Sequence, residues 1–364
     1  MLLTDIIIKR IKEEGALSFH NFMEMALYYP HLGYYNRSQS KIGKSGDFYT
    51  SSSLTPAFGA MIGKQLEQMW EILGKGNFTI VEYGAGTGTL CADILEYLKN
   101  NADMYPQLKY CIIEKGAAMR VIQKSHLSEK VSWYENISDL NGFTGVVLSN
   151  ELLDNFSVHQ VVMEDELMEV FVDHQNEFVE VLKPAKSELK DYFTELNVAL
   201  PKGFRTEINL EAIDWIKEIA STLHKGYVIT IDYGDTSDKL YSESRRNGTL
   251  LSFNKHSIND NFYNDIGEQD ITSHVNFSAL SHWGLKNGLT FCGITNQAGF
   301  LLRLGFKNYL QKILMSEPGQ NMLSLIKKEN FISQKLVFEM GLKIQVLIQS
   351  KGVPKTNLAG LTDE

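Results

Sequence analysis

The sequence predicts an α/β protein built on a doubly wound, mostly parallel Rossmann-type sheet. Three features point there. The apolar, β-branched run Phe78-Thr79-Ile80-Val81 stops at a carboxylate, Glu82. Gly84, Gly86 and Gly88 follow on alternate positions, and 90–98 then has the spacing of a helix. Strand, glycine-rich turn and helix make the nucleotide-binding half of such folds. Alternate glycines let the chain turn sharply and let a ligand lie against main chain, because no Cβ intervenes.

The glycine spacing is G-x-G-x-G. A pyrophosphate fingerprint sets its third glycine one place later, and Glu82 would repel a diphosphate. S-adenosyl-L-methionine has no phosphate. It carries a sulfonium and an ammonium, and a carboxylate at the strand end suits both. The next strand ends in Glu114, which can accept from both ribose hydroxyls as the acid of dinucleotide folds does. Glu82, Gly84, Gly86, Gly88 and Glu114 are therefore the expected cofactor-binding residues. A structural βα turn without ligand is the competing reading.

At 364 residues the chain can hold about two domains, or one large domain with insertions. Its 43% hydrophobic and 22% charged content suits a globular protein. A net charge of −9 disfavours a nucleic-acid footprint. Cys91, Cys111 and Cys292 are scattered in apolar contexts and read as buried thiols. The nine histidines show no ligand spacing, so no metal is expected. No apolar run is long enough to span a bilayer. The short apolar stretch 2–8 precedes Lys9-Arg10 and reads as an amphipathic helix, not a secretory signal. A cytoplasmic location without membrane insertion is the expectation.

In chain order, 4–14 forms a helix stopped by Gly15, and Ser18 caps a second over 19–27. A turn crowded with tyrosines follows. The Gly/Ser-rich segment with Gly46, Asp47, Thr50 and Ser51 is built like a binding loop; an ordinary surface loop with an Asx-turn at Asp47 is the alternative. A helix over 56–73 leads into the glycine turn. Strands at 78–83, 108–114, 131–134 and 144–149 alternate with helices at 88–100 and 117–125. The strand 144–149 runs into Asn150-Glu151-Leu152-Leu153-Asp154, which should face the same crevice. Alternation over 158–181 predicts antiparallel strands, and 186–200 is polar and helical. Thr206 is expected to cap a helix over 207–222. Gly226 starts a strand over 227–231, which ends in Asp232-Tyr233-Gly234. Strands at 290–295 and 343–349 flank a helix at 297–304. Only the tail after Ser350 looks disordered.

Several of these pieces read together as one family. They are Phe22-Met23, Gly33-Tyr34-Tyr35, Gly46-Asp47-Phe48 with Thr50-Ser51, and Glu82-x-Gly84-x-Gly86-x-Gly88. Ser149-Asn150-Glu151-x-Leu153-Asp154, Asp232-Tyr233-Gly234, Gly248-Thr249-Leu250 and Asp270-Ile271-Thr272 with His274-Val275 follow. The chain resembles the MidA-type methyltransferases, relatives of the mitochondrial arginine methyltransferase that acts in respiratory complex I assembly. The resemblance implies a class I S-adenosylmethionine-dependent methyltransferase fold with one antiparallel strand. It also implies an N-terminal helical region over 1–74 covering the cleft, and a cofactor core from 75–157, 206–235 and 289–350. A β-rich insertion at 158–205 and a second, substrate-side insertion at 236–288 complete the organisation. Gly46 and Asn150 join the implied cofactor contacts. Ser157, Phe253 and Asn276 stand where the family pattern has Pro, Tyr and Asp.

Methyl transfer to nitrogen requires a lone pair aligned with the sulfonium C–S bond, which is mostly positioning. An arginine guanidinium stays protonated, so a carboxylate must bind it and the proton must have somewhere to go. Glu151 and Asp154 fall at i and i+3, on one face if the segment is helical. Asn150 as a helix cap with Glu151 on the dipole is the bland alternative. Asp47 is a further candidate, and His274 could relay a proton. The expected function is protein-arginine N-methylation of an arginine-bearing partner such as a complex I subunit, with a homodimer compatible. The alternative is a methyltransferase-shaped assembly factor that binds without turnover.

Overall fold

The computed structural model describes residues 2–37, 50–254, 257–259, 261–316 and 321–362. They form two units. One comprises Met1–Phe48, Leu153–Ile216 and Gly234–Trp283; the other comprises Tyr49–Leu152, Lys217–Tyr233 and Gly284–Glu364.

The second unit holds the central sheet. Its strands are β1 (Phe78–Tyr83), β2 (Leu108–Ile113), β3 (Val131–Tyr134), β4 (Phe143–Asn150), β5 (Leu223–Asp235), β6 (Thr290–Asn296) and β7 (Ile344–Lys351). Their order is β3-β2-β1-β4-β5-β7-β6. All pairings are parallel except those of β7, which runs antiparallel to β5 and β6. The expected mostly parallel sheet with one antiparallel strand is what forms. Its strands read as near-continuous apolar runs because helices cover both faces. Ile80, Val146 and Ile229 are fully buried on one face, and Val81, Cys111 and Val147 on the other.

Helix Pro56–Ile72 starts where Thr55 accepts from the Ala57 N–H and Pro56 fills the first turn. It packs on helix Thr89–Leu98 at Gly59 and Gly63. A Cβ there would lie 2.5 Å from Asp93 Cβ and 2.6 Å from a Tyr97 ring carbon. The two helices approach that closely only because those positions are bare.

The other unit opens with helices Leu3–Glu14 and Phe19–Tyr28, the second capped by Ser18 as expected. Its antiparallel sheet joins Leu17–Ser18, His159–Met163, Leu167–His174, Phe178–Pro184 and Arg205–Ile208. Phe19, Phe22, Val170 and Val172 are buried in its main core.

Three sequence expectations are corrected. Thr206 caps no helix: 205–208 is a strand paired with His159–Val162, alternation having won over helical spacing. Asn209 instead accepts from the Ala212 N–H and opens helix Leu210–Thr222. Residues 150–154 are not one helical face. Asn150 ends β4, Glu151 takes φ +49°, and only a single 3-10 turn, Leu153–Asn155, follows. In the tail beyond Ser350, residues 354–357 are exposed but 358–360 are packed. Leu358 is 1% exposed, and the Gly360 and Ala359 N–H groups donate to Gln65 and Gln68 at 2.9 Å. Short-range polarity carries no sign of these long-range partners.

Between Arg303 and β7 the chain forms helices Phe306–Ser316 and Met322–Ser333 and a π-turn, Gln334–Glu339. No helix among the described residues is long and apolar enough to cross a membrane.

Candidate active site

Between β1 and helix Thr89–Leu98 the chain turns on its three glycines, with φ of +64°, +52° and +85° at Gly84, Gly86 and Gly88. Side chains rarely adopt these angles. The Gly84 N–H donates to Ile113 O and the Gly88 N–H to Ala85 O, so the turn is tied to β2 and closed on itself. Gly88 caps the helix, whose unpaired N–H groups and positive dipole end face the turn.

Glu82 is 2% exposed and accepts from the Tyr110 hydroxyl at 2.8 Å. Burial pushes its carboxyl up to about 7; the Tyr110 hydrogen bond opposes this and the nearby Glu114 charge adds to it. Glu114, at the tip of β2, accepts from the Gly116 N–H at 2.7 Å and from Gln123 Nε2 at 3.2 Å. Burial raises its carboxyl too.

Gln123 is a residue that sequence reasoning missed. It is fully buried. Its Nε2 also donates to Gly86 O at 2.8 Å, while its Oε1 accepts from Trp133 Nε1 at 2.8 Å. One amide thus joins the glycine turn to Glu114. Hydrophobic spacing points elsewhere, since Val121 and Ile122 on the same helix are 70% and 43% exposed. Removing the amide frees both groups it holds. Gln123→Leu is expected to raise the cofactor KM about tenfold with little change in kcat; steady-state kinetics with the cofactor varied will check it.

The end of β4, next to β1 in the sheet, borders the same crevice. Glu151 accepts from the Ser51 N–H at 2.8 Å and from Asn150 Nδ2 at 3.2 Å, and its own N–H donates to Ile231 O at 2.9 Å. Burial raises its carboxyl. Asn150 Oδ1 is buried without a hydrogen-bond partner. Asp232, fully buried, accepts from the Leu152 N–H and so fixes the turn that aims Glu151. Ser51 Oγ donates to the buried Gln297, a second residue the sequence did not flag.

The remaining sequence candidates are not among these residues. Gly46 and Asp47 fall outside the described residues. Asp154 and His274 belong to the other unit. There Asp154 is 6% exposed, its carboxylate accepts from Asn155 Nδ2 and its carbonyl from the Ser273 N–H. The Tyr35 hydroxyl joins Asn155 to Asp270 at 2.7–2.9 Å. The His274 N–H donates to Thr249 Oγ1, and the residue lines a small cavity with Glu207, Tyr192, Tyr241 and Asn276. Two departures from the family pattern are built in. Ser157 Oγ donates to Glu24, a bond proline could not make. Asn276 Nδ2 lies 3.0–3.1 Å from the Tyr192 and Tyr241 hydroxyls.

Comparison with known proteins fits this geometry. The sequence model of the S-adenosyl-L-methionine-dependent methyltransferase family matches residues 61–295, more than half of the chain. The chain belongs to that family. A crystal structure of a candidate methyl transferase from Burkholderia thailandensis, bound to S-adenosyl-homocysteine, is 28% identical over 98% of this chain and 94% of its own, with a TM-score of 0.87. Among curated relatives, the Drosophila melanogaster protein named "Protein arginine methyltransferase NDUFAF7 homolog, mitochondrial" is 24% identical over 96% of this chain and 85% of its own. The Mus musculus protein named "Protein arginine methyltransferase NDUFAF7, mitochondrial" is 26% identical over 85% and 76%. The expected cytoplasmic location is corrected by these relatives, which are named mitochondrial.

The methyltransferase's cofactor is S-adenosyl-L-methionine. The residues present fit it. The glycine turn offers main chain with no Cβ in the way, Asn150 Oδ1 is an unpartnered buried acceptor, and the buried Glu82 and the half-buried Glu114 can face a cationic ligand.

Proposed function

We propose that the methyl acceptor is an arginine side chain of a protein, and that Glu151 receives its guanidinium. One observation carries the reading. Glu151 is held at φ +49° with its carboxylate fixed by the Ser51 N–H beside the glycine turn's crevice. A left-handed backbone at a non-glycine residue costs on the order of 1 kcal/mol, and strain kept at a ligand crevice points to use. The relatives' names support the acceptor class.

S-adenosyl-L-methionine, when bound, supplies an electrophilic methyl on a sulfonium. Glu151 pairs with the guanidinium through two N–H···O bonds and draws its positive charge toward the paired nitrogens. The free nitrogen is then aimed at the methyl. That nitrogen would take the methyl as it leaves sulfur, and the proton it sheds would pass to a second group, for which His274 is proposed. Asp154, His274 and Asp47 are proposed for substrate-side roles. The family resemblance and the mitochondrial relatives extend the proposal to a complex I subunit as acceptor.

Purified protein, radiolabelled cofactor and mitochondrial extract provide the test. Label recovered as methylarginine after hydrolysis is expected. Glu151→Gln should leave cofactor affinity nearly unchanged and lower kcat about 10–100-fold. Cofactor binding with no labelled product would instead favour the non-catalytic assembly factor.

A further inference from the structure

Eight of the fourteen large apolar side chains exposed among the described residues lie between 302 and 342. All but Leu342 sit on the helices that precede β7. Met315, Met322, Leu323 and Phe338 are each more than 60% exposed. The inner side of the same helices is already used: Phe306, Leu310, Leu314, Ile332 and Leu336 are at most 3% exposed. Helix Met322–Ser333 is therefore apolar on two sides, and such a helix needs cover. Leu323, Lys327 and Phe331 follow one another at four-residue intervals, which stacks them in one exposed stripe.

The same stretch is basic. Residues 303–343 hold seven Lys or Arg against three Glu, in a chain of net charge −9. Protein interfaces are enriched in Tyr, Trp, Phe, Met and Arg, so the exposed Met and Phe do not discriminate, but they are depleted in Lys. Here the exposed side chains are Leu, Ile, Met and Phe, and six of the seven cations are Lys. Helices that lie in the interfacial plane of a bilayer have this composition. Lysine stems run along the apolar surface while their ammonium groups meet lipid phosphates.

We infer that this face docks on the surface of an anionic lipid bilayer without crossing it. The acidic remainder of the chain is repelled by such a surface, so the patch also sets which side of the protein faces it.

Flotation of the purified protein with vesicles is the test. Binding is expected to vesicles of phosphatidylcholine mixed with phosphatidylglycerol, to weaken as salt rises, and to be absent with phosphatidylcholine alone. The double variant Leu323→Asp, Phe331→Asp should lose vesicle binding by about tenfold or more, and Lys327→Glu should weaken it several-fold. All three sites are exposed, so cofactor affinity, measured on the same samples, should not change. Failure to float with either vesicle, or equal binding by the double variant, would overturn the inference. So would a concentration-dependent dimer that the double variant disrupts, since that would make the face a protein interface.

Discussion

Glu82→Gln is expected to weaken S-adenosyl-L-methionine binding about 100-fold and, at pH 8, to make the cofactor-free protein more stable. The first effect follows from removing a buried negative charge that a cationic ligand would meet, which is worth about 2–4 kcal/mol. The second follows from burial, which pushes this carboxyl up to about 7 from an ordinary 4.5. Below about pH 4.5 the group is protonated in both folded and unfolded chains and has no effect. Between 4.5 and 7 the unfolded chain ionises while the folded chain keeps its proton, and stability falls as pH rises. Above 7 the loss is complete. At about 1.4 kcal/mol per pH unit it amounts to about 3 kcal/mol, an upper bound that the neutral amide of the variant would recover. The Tyr110 hydroxyl can still donate to the amide oxygen, so the neighbourhood stays paired. Calorimetric titration and thermal melts at pH 5 and pH 8 will check both. For the unaltered protein, cofactor affinity should fall as pH drops through 7, where Glu82 takes up its proton, and the variant should lack that slope.

Gly86→Val is expected to abolish measurable cofactor binding while leaving the protein folded. Gly86 sits at φ +52°, an angle that disfavours any side chain and most strongly a β-branched one. The turn must then move, or the new methyl groups must occupy the space where a ligand lies on main chain. Movement would also break the Gln123 contact to Gly86 O and loosen Glu114. Titration calorimetry beside circular dichroism separates loss of binding from loss of fold. Unaltered affinity would remove this turn from the cofactor crevice.

Much of this architecture is legible in the residues. Strand Phe78–Tyr83, the glycine turn, Glu114 at the next strand tip and the apolar run of 146–148 are local patterns with local causes. They survive because the sheet that contains them is buried on both faces. What could not be read depends on partners far along the chain. Thr206 has the chemistry of a helix cap, yet pairing with 159–162 draws 205–208 into a sheet. Glu151 reads as one acid of a helical pair, yet its N–H is taken by Ile231 and its carboxylate by Ser51, which pulls it out of any helix. Gln123 reads as one polar residue among many. Its weight comes from three contacts contributed by three different segments.

The packed tail has a consequence for synthesis. Gln65 and Gln68 lie on helix Pro56–Ile72, just ahead of the glycine turn, and their side chains are engaged by residues 357–360. During translation this helix emerges almost 300 residues before its last neighbours. The growing polypeptide must carry this helix without its tail partners until residues 357–360 are made. Stalled or prematurely terminated products lacking residues 357–360 would therefore expose Leu358's empty socket, and quality-control proteases would clear them.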